Sequence, residues 1–285
     1  EGALVVKYED DLTPAVLQTS HGTVVYLPRD LCAAVDRKER YDFDKMIYVV
    51  GAEQTLHFKQ LFRTLKLMGH DWADDCSHVP FGLINFKGMK MSTRKGNVIF
   101  LEDVLDRAIE ITRDIITKKN PDLANKDEVA EDIGIGAIIY ADLDSRRTRD
   151  VVFDWDEILN FTGETGPYVQ YTHARYCSVL RKFGETVPPP DVDLTLLSEP
   201  EAVAVIKCIE EFPNRIKQAA ENDEPSLIAS FLIELCTVAN RFYNQHRVVS
   251  EDEGLTKSRV TLVYAIKTVL RNGLALLGMK APEEM

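Results

Sequence analysis

The residues Lys45-Met46-Ile47-Tyr48-Val49-Val50 form an almost unbroken apolar run, closed by Gly51 and followed within a few residues by helical spacing. An apolar run this short, without polar alternation, suits a strand buried on both faces of a parallel sheet. Upstream, Thr23–Leu27 is a β-rich run ending at Pro28, and Asp30 stands where an N-cap would, ahead of the helical stretch Leu31–Arg37. Downstream, the spacing of Leu56, Phe58, Leu61, Phe62, Leu65 and Leu67 predicts an amphipathic helix over Thr55–Met68. Strand, helix, strand, helix describes a doubly wound α/β unit. Ligands in such sheets sit beyond the C-terminal strand ends, which puts Tyr26–Asp30 and Gly51–His57 on the candidate ligand edge.

The pattern then changes. His78–Gly82 leads into a Lys- and Gly-rich loop, Lys87–Gly96, and the short apolar run Val98–Leu101. Asp103 can cap a helix over Val104–Lys118, Asn120-Pro121 ends it, and a second helix is predicted over Glu128–Asp142. Beyond Asp142 the reading is helical almost throughout: Tyr168–Arg181, Glu201–Ala220, Pro225–Asn244 and Ser258–Leu277 all carry three-to-four spacing, with Val187–Pro190 as an exposed connection. Four long helices of this kind predict a bundle. The fold class is therefore α/β followed by all-α, with expected domains at 1–125 and 166–285 and a helical connecting segment at 126–165.

Composition narrows the function classes. No run of about 18 apolar residues exists, so no membrane span is expected. The start Glu1-Gly2-Ala3 has neither an initiator Met nor a basic n-region, which reads as a cut or processed start and not a signal peptide. Five scattered cysteines without a CxxC pair indicate reduced thiols in a cytoplasmic protein, and no protein-bound metal. The net charge is −12, and neither part is basic: residues 1–165 hold 21 Lys and Arg against 30 Asp and Glu, residues 166–285 hold 13 against 16. Any nucleic-acid binding must come from local patches and shape.

Three groups of residues can carry chemistry. The loop Lys87–Asn97 places four cations beside two glycines and two hydroxyls, as stabilisation of a leaving pyrophosphate requires, although a solvated basic loop has the same composition. Asp30 offers a carboxylate at a strand end, the planar acceptor that a guanidinium prefers, and a plain N-cap is the competing reading. In the bundle, Tyr168, Tyr171 and Tyr243 lie near Arg175, Arg181, Lys182, Arg241 and Arg247, a composition that serves either base stacking with phosphate contacts or ordinary helix packing. Phe242 and Tyr243 are adjacent on one helix and cannot face the same way, so one of them belongs to the core. Arg146, Arg147 and Arg149 form a further cluster, facing either a nucleic-acid stem or the nearby Asp142, Asp144 and Asp150.

Lys90-Met91-Ser92-Thr93-Arg94 resembles the KMSKS signature of class I aminoacyl-tRNA synthetases, and its extension through Lys95-Gly96-Asn97 is similar to the arginyl-tRNA synthetase form. Tyr26-Leu27-Pro28-Arg29-Asp30, Tyr41-Asp42-Phe43-Asp44, Gln54-Thr55-Leu56-His57, Phe153-Asp154-Trp155-Asp156 and Thr165–Arg175 resemble further blocks of that family, in order along the chain. The resemblance implies the second half of a Rossmann-type nucleotide fold followed by a helical anticodon-binding domain. It implies catalytic roles for Lys90, Ser92, Arg94 and Lys95, arginine binding by Tyr26, Asp30 and Gln54, and ATP contacts from His57, Met91 and Ser92. It also implies tRNA contacts from Tyr168, Tyr171, Arg175, Tyr243, Arg247 and Met285.

The implied partners are tRNA(Arg), L-arginine and ATP with Mg2+, in an intact enzyme expected to be a monomer. Two departures stand out. The family's HIGH-like motif is absent from this sequence, and Thr93 and Arg94 replace the last two positions of KMSKS. The chain is therefore expected to be inactive alone, with a non-catalytic tRNA-binding module as the alternative.

Overall fold

A computed structural model describes residues 2–86, 99–184 and 192–285. The chain divides into two compact units, one of residues 1–83 with 148–150, the other of residues 84–147 with 151–285.

In the first unit, β1 (Leu4–Val6) and β2 (Ala15–Gln18) pair antiparallel. Helix α1 (Tyr26–Tyr41), β3 (Met46–Gly51), α2 (Thr55–Leu67) and β4 (Cys76–Phe81) follow. β3 and β4 are parallel, in register from Met46 opposite Cys76 to Gly51 opposite Phe81. Leu27, Leu31 and Ala34 of α1 and Phe58, Leu61 and Leu65 of α2 share one core with Met46, Tyr48 and Val50. Both helices thus cover the same sheet face. Alternate residues of a strand point to opposite faces, so Ile47 and Val49 project away from that core and stay 46% and 64% exposed. The expected burial of β3 on both faces is not met among the described residues.

The expected strand over Thr23–Leu27 is also corrected. Only Val24 makes a bridge, to Gln18, and α1 begins at Tyr26. Pro28 does not end a strand; it occupies the first helical turn, where its missing N–H would have had no intrahelical partner. Asp30 is consequently inside α1 and not its N-cap, which is Val25 without a side-chain cap bond. Strand β4 went unread because Pro80 and His78 interrupt its apolar pattern. At its end Gly82 packs against another backbone segment: a Cβ there would lie 2.5 Å from the Arg149 carbonyl, and Leu83 N–H donates to Asp150 Oδ1 at 2.7 Å.

In the second unit, β5 (Ile84–Phe86) pairs parallel with β6 (Val151–Phe153), a strand that the helical reading beyond Asp142 missed. The hairpin of α3 (Leu101–Lys119) and α4 (Lys126–Leu143) packs beside it, and a short helix, α5 (Trp155–Ile158), follows β6. Leu101 opens α3, and Asp103 sits in the first turn behind the cap residue Phe100, where its charge complements the helix dipole.

The bundle consists of α6 (Gly166–Phe183), α7 (Pro200–Glu210), α8 (Phe212–Asn222), α9 (Ser226–Gln245) and α10 (Glu253–Leu276). The single helix expected over Glu201–Ala220 is two, because Pro213 has no N–H to continue α7 and sits instead in the first turn of α8. Helix α10 starts earlier than its apolar spacing suggests, capped by the Asp252 carboxylate on Leu255 N–H at 3.0 Å. Phe231, Leu232, Leu235, Ile266, Leu270 and Leu274 are fully buried in its core. Tyr140 of α4 ties the hairpin to α9 by donating to the Ala229 carbonyl at 3.1 Å. No helix among the described residues is long and apolar enough to cross a membrane.

Candidate functional site

In the first unit, the chain leaves β3 at Gly51, makes a 3-10 turn over Ala52–Gln54 and enters α2, so Gln54 and His57 stand at the C-terminal end of the strand. His57 Nε2 lies 2.7 Å from Asp30 Oδ2, joining α2 to α1. A carboxylate can only accept, so Nε2 carries the proton. Tyr26 is one helical turn before Asp30, on the same face of α1, and is 77% exposed. Of the six residues read for arginine and ATP, four are described, and three of these, Tyr26, Asp30 and His57, stand together at one carboxylate, with exposed Gln54 a turn before His57.

Beneath them, the His78 ring stacks on Phe58 at 4.5 Å and donates from Nε2 to the Val50 carbonyl at 2.9 Å, which fixes the end of β3. His78 was not singled out by sequence; a histidine in an apolar strand is its only signal. Lys90, Met91, Ser92, Arg94 and Lys95, read as catalytic and ATP-binding, lie outside the described residues. Among the described residues no group of three or more His, Cys, Asp or Glu side chains is gathered as a metal site requires.

The second unit holds an open cavity of about 1350 Å³. Its walls are one face of α6, the end of α9 with the following loop, the α3–α4 turn, and the last residues of the sequence. Tyr171, Arg175, Tyr243, Arg247 and Met285 all line it; the sequence reading scattered them over more than a hundred positions. Four cations, Arg175, Arg181, Lys182 and Arg247, face it against one side-chain carboxylate, that of Glu284. A unit with excess acid therefore presents a locally basic hollow.

Arg175 organises this wall. Its guanidinium lies 4.9 Å from the Tyr171 ring centre and 5.5 Å from that of Tyr243, and it donates to Asn240 Oδ1 at 2.6 Å. Asn240 Nδ2 in turn donates to the Tyr168 hydroxyl at 2.9 Å. Tyr168 is thus placed behind the wall as an anchor, while Tyr171 and Tyr243 remain 41% and 38% exposed. Phe242 is fully buried, so the adjacent aromatics divide between core and cavity as their spacing required. Arg259, 8% exposed, pairs with Glu199 and donates to the Arg247 carbonyl at 2.6 Å, holding the loop that carries Arg247. Asn240 and Arg259 were missed because a polar residue at helical spacing gives no sign of the partner it meets in space.

In the arginine cluster, Arg147 reaches the backbone that follows α8. Its Nε donates to the Asp223 carbonyl at 2.9 Å, and Nη2 reaches the Asn222 carbonyl at 3.5 Å, so it satisfies the end of α8. The five cysteines are free. Burial pushes the Cys236 thiol up to about 12, which leaves it unreactive.

With both sites described, comparison with known proteins separates the possibilities. The family described as "tRNA synthetases class I (R), catalytic domain" matches residues 1–155. The chain belongs to the arginyl-tRNA synthetase family of class I. The "DALR anticodon binding domain" family matches residues 169–285, the bundle of the arginyl-tRNA synthetase fold. The arginine–tRNA ligase of Halothermothrix orenii is 49% identical over all of this chain and 50% of its own length, and that of Clostridioides difficile is 46% identical over the same shares. The Thermus thermophilus arginyl-tRNA synthetase structure superposes with a TM-score of 0.88 at 29% identity, covering 100% of this chain and 54% of that one. The Plasmodium falciparum arginyl-tRNA synthetase gives 0.85 at 26% identity, with 49% of its chain covered. This chain spans about half the length of the curated relatives it matches.

Proposed function

We propose that this chain supplies arginine recognition and tRNA anticodon binding to an arginine–tRNA ligase. The reaction is attack of the arginine carboxylate on the α-phosphate of ATP, releasing pyrophosphate, followed by transfer of the arginyl group to the tRNA 3′ end. ATP with Mg2+, arginine and tRNA(Arg) are its substrates, in a cytoplasmic, monomeric intact enzyme.

The observation that carries the reading is the cavity that brings Tyr171, Tyr243, Arg175 and Arg247 together. Exposed aromatic faces stack unpaired bases, each contributing about 1–3 kcal/mol, and surrounding cations neutralise phosphates. Arg175 orients the two rings, lying against both while one of its five donors is bonded to Asn240, and keeps donors for a phosphate. Tyr168 acts through Asn240 and not by direct contact. Arg247 and Met285 complete the wall.

Asp30 would take the guanidinium of substrate arginine. A carboxylate has about four lone-pair directions, so the bond from His57 leaves capacity for a two-pronged contact. His57 then orients Asp30, a role that its geometry supports better than a direct ATP contact. Tyr26 borders the guanidinium from the same helix face, and Gln54 adds a polar contact. Lys90, Ser92, Arg94 and Lys95 would neutralise the leaving pyrophosphate, with Met91 and Ser92 beside the nucleotide, on resemblance alone.

Because the relatives are about twice as long, a tRNA-binding module without catalysis is the second reading for the chain by itself. Arginine-dependent ATP–pyrophosphate exchange, run with tRNA(Arg), separates the two. No exchange is expected from these 285 residues, together with salt-sensitive tRNA binding. Absence of tRNA binding at low salt would remove the proposal.

A further inference from the structure

The last residues of the sequence are held by side chains that neither substrate recognition nor helix packing calls for. Gln170 and His173 of α6 are both fully buried. They are three residues apart and so share one helix face. Gln170 Nε2 donates to the Lys280 carbonyl at 2.9 Å and to the Asp132 carbonyl at 3.1 Å. His173 Nδ1 lies 2.9 Å from the Pro282 carbonyl, which can only accept, so Nδ1 bears the proton. One turn of α6 therefore meets two carbonyls spaced two residues apart on a non-helical segment.

The same segment continues along α6. Arg181 donates to the Glu283 carbonyl at 3.0 Å, and Asn120 Nδ2 to the Met285 carbonyl at 3.1 Å. Met285 packs against the core of Ile116, Leu123 and Ile133, while Glu284 and Met285 face the cavity. The ion pairs of Lys267 with Glu283 and Arg181 with Glu284 have exposed carboxylates and contribute little. The buried amide and imidazole are the bonds whose loss leaves donors unpaired in the interior, and they fix which residues reach the wall.

We propose that Gln170 and His173 are positioning residues that hold residues 279–285 in register as one wall of the RNA-facing cavity. This rests on the reading of that cavity as a tRNA site. The apolar alternatives at both positions would fill the same volume but would not choose between one register of the segment and the next.

The test uses the 285-residue chain and a tRNA(Arg) transcript. Hydrogen exchange is followed at residues 279–285 and, as an internal reference, in α9 and α10. In His173→Leu and Gln170→Leu, residues 279–285 are expected to lose protection while α9 and α10 keep theirs. Affinity for the transcript should fall by about 5- to 20-fold, the scale of one or two lost hydrogen bonds. His173→Asn, whose amide N–H can reach the position of Nδ1–H, should restore both properties. The proposal is overturned if the segment stays protected in both leucine variants, if it is released with affinity unchanged, or if the asparagine variant behaves like leucine.

Should the leucine variants not fold, the wild-type chain decides: bound transcript must slow exchange at residues 279–285, and no change there overturns the proposal. A wild-type chain that does not bind the transcript removes the tRNA reading, and this inference with it. That outcome is recognisable because the exchange behaviour of the segment is read without RNA.

Discussion

In the first unit, the proposed arginine site rests on one carboxylate, Asp30, held by one hydrogen bond from His57 over a core of eight buried apolar residues. In the second, Tyr171, Arg175 and Tyr243 are wired through Asn240 to Tyr168, over a core of twenty-five. The small core leaves apolar residues of β3 exposed, while the large one buries both α9 and α10 along most of their length. A single charge discriminates sharply but depends on few supports. A stacked surface spreads its binding over many atoms and tolerates single losses. The two units illustrate how charge-based and area-based recognition make different demands on the scaffold beneath them.

The largest expected effect tests the difference between the cores. Phe231→Ala, at a fully buried position stacked on Phe212, should cost roughly 3–5 kcal/mol in urea unfolding followed by circular dichroism. Leu61→Ala in the small core should lower only an earlier transition assigned to the first unit. One shared transition shifted equally by both variants would break the comparison.

Next in size is the single-charge site. Asp30→Asn should weaken arginine binding by about 2–3 kcal/mol, the scale of a hydrogen bond to a charged group, read by calorimetry on the chain. His57→Ala should lose less, because it orients the carboxylate without being the partner. Equal losses from the two variants would put His57 in direct contact with ligand.

Smaller per residue are the stacking positions. Tyr171→Ala or Tyr243→Ala should each cost about 1–3 kcal/mol of tRNA affinity, and the double variant less than the sum, since Arg175 touches both rings. Strict additivity in filter binding would show that the two rings act independently.

The smallest effect is electrostatic. Burial lowers the pKa of His173 below its ordinary 6.5, with the Pro282 carbonyl and Glu283 opposing and Lys267 and Arg271 adding to the shift. The unfolded chain therefore binds the proton more readily than the folded one. The stability associated with neutral His173 is present above about pH 6.5 and declines as pH falls through the window below it. Urea midpoints between pH 7.5 and 5.5 should drop in the wild type more than in His173→Asn, and identical slopes would assign the acid sensitivity elsewhere.

Periodicity alone determined a good part of this protein. The β3–α2 pair, the α3–α4 hairpin, and the positions of α6, α9 and α10 follow from spacing that any homogeneous apolar environment would select. The division of Phe242 and Tyr243 between core and surface followed from helix geometry in the same way. What spacing could not supply were the choices made by competition between elements. Pro28 could end a strand or sit in a first turn, and docking of Leu27 and Leu31 on the core decided for the helix. Strand β4 is interrupted by His78 and Pro80 and β6 is only three residues long, so neither declares itself, and both exist because a neighbouring strand satisfies their backbone groups.

The same holds for the sites. Residue types announced carboxylate, cation and aromatic chemistry, yet the bond from His57 to Asp30 and the triad of Arg175, Tyr171 and Tyr243 required helices to be brought side by side. Hydrogen-bond partners distant along the chain are set by packing, which leaves no periodic trace in the sequence.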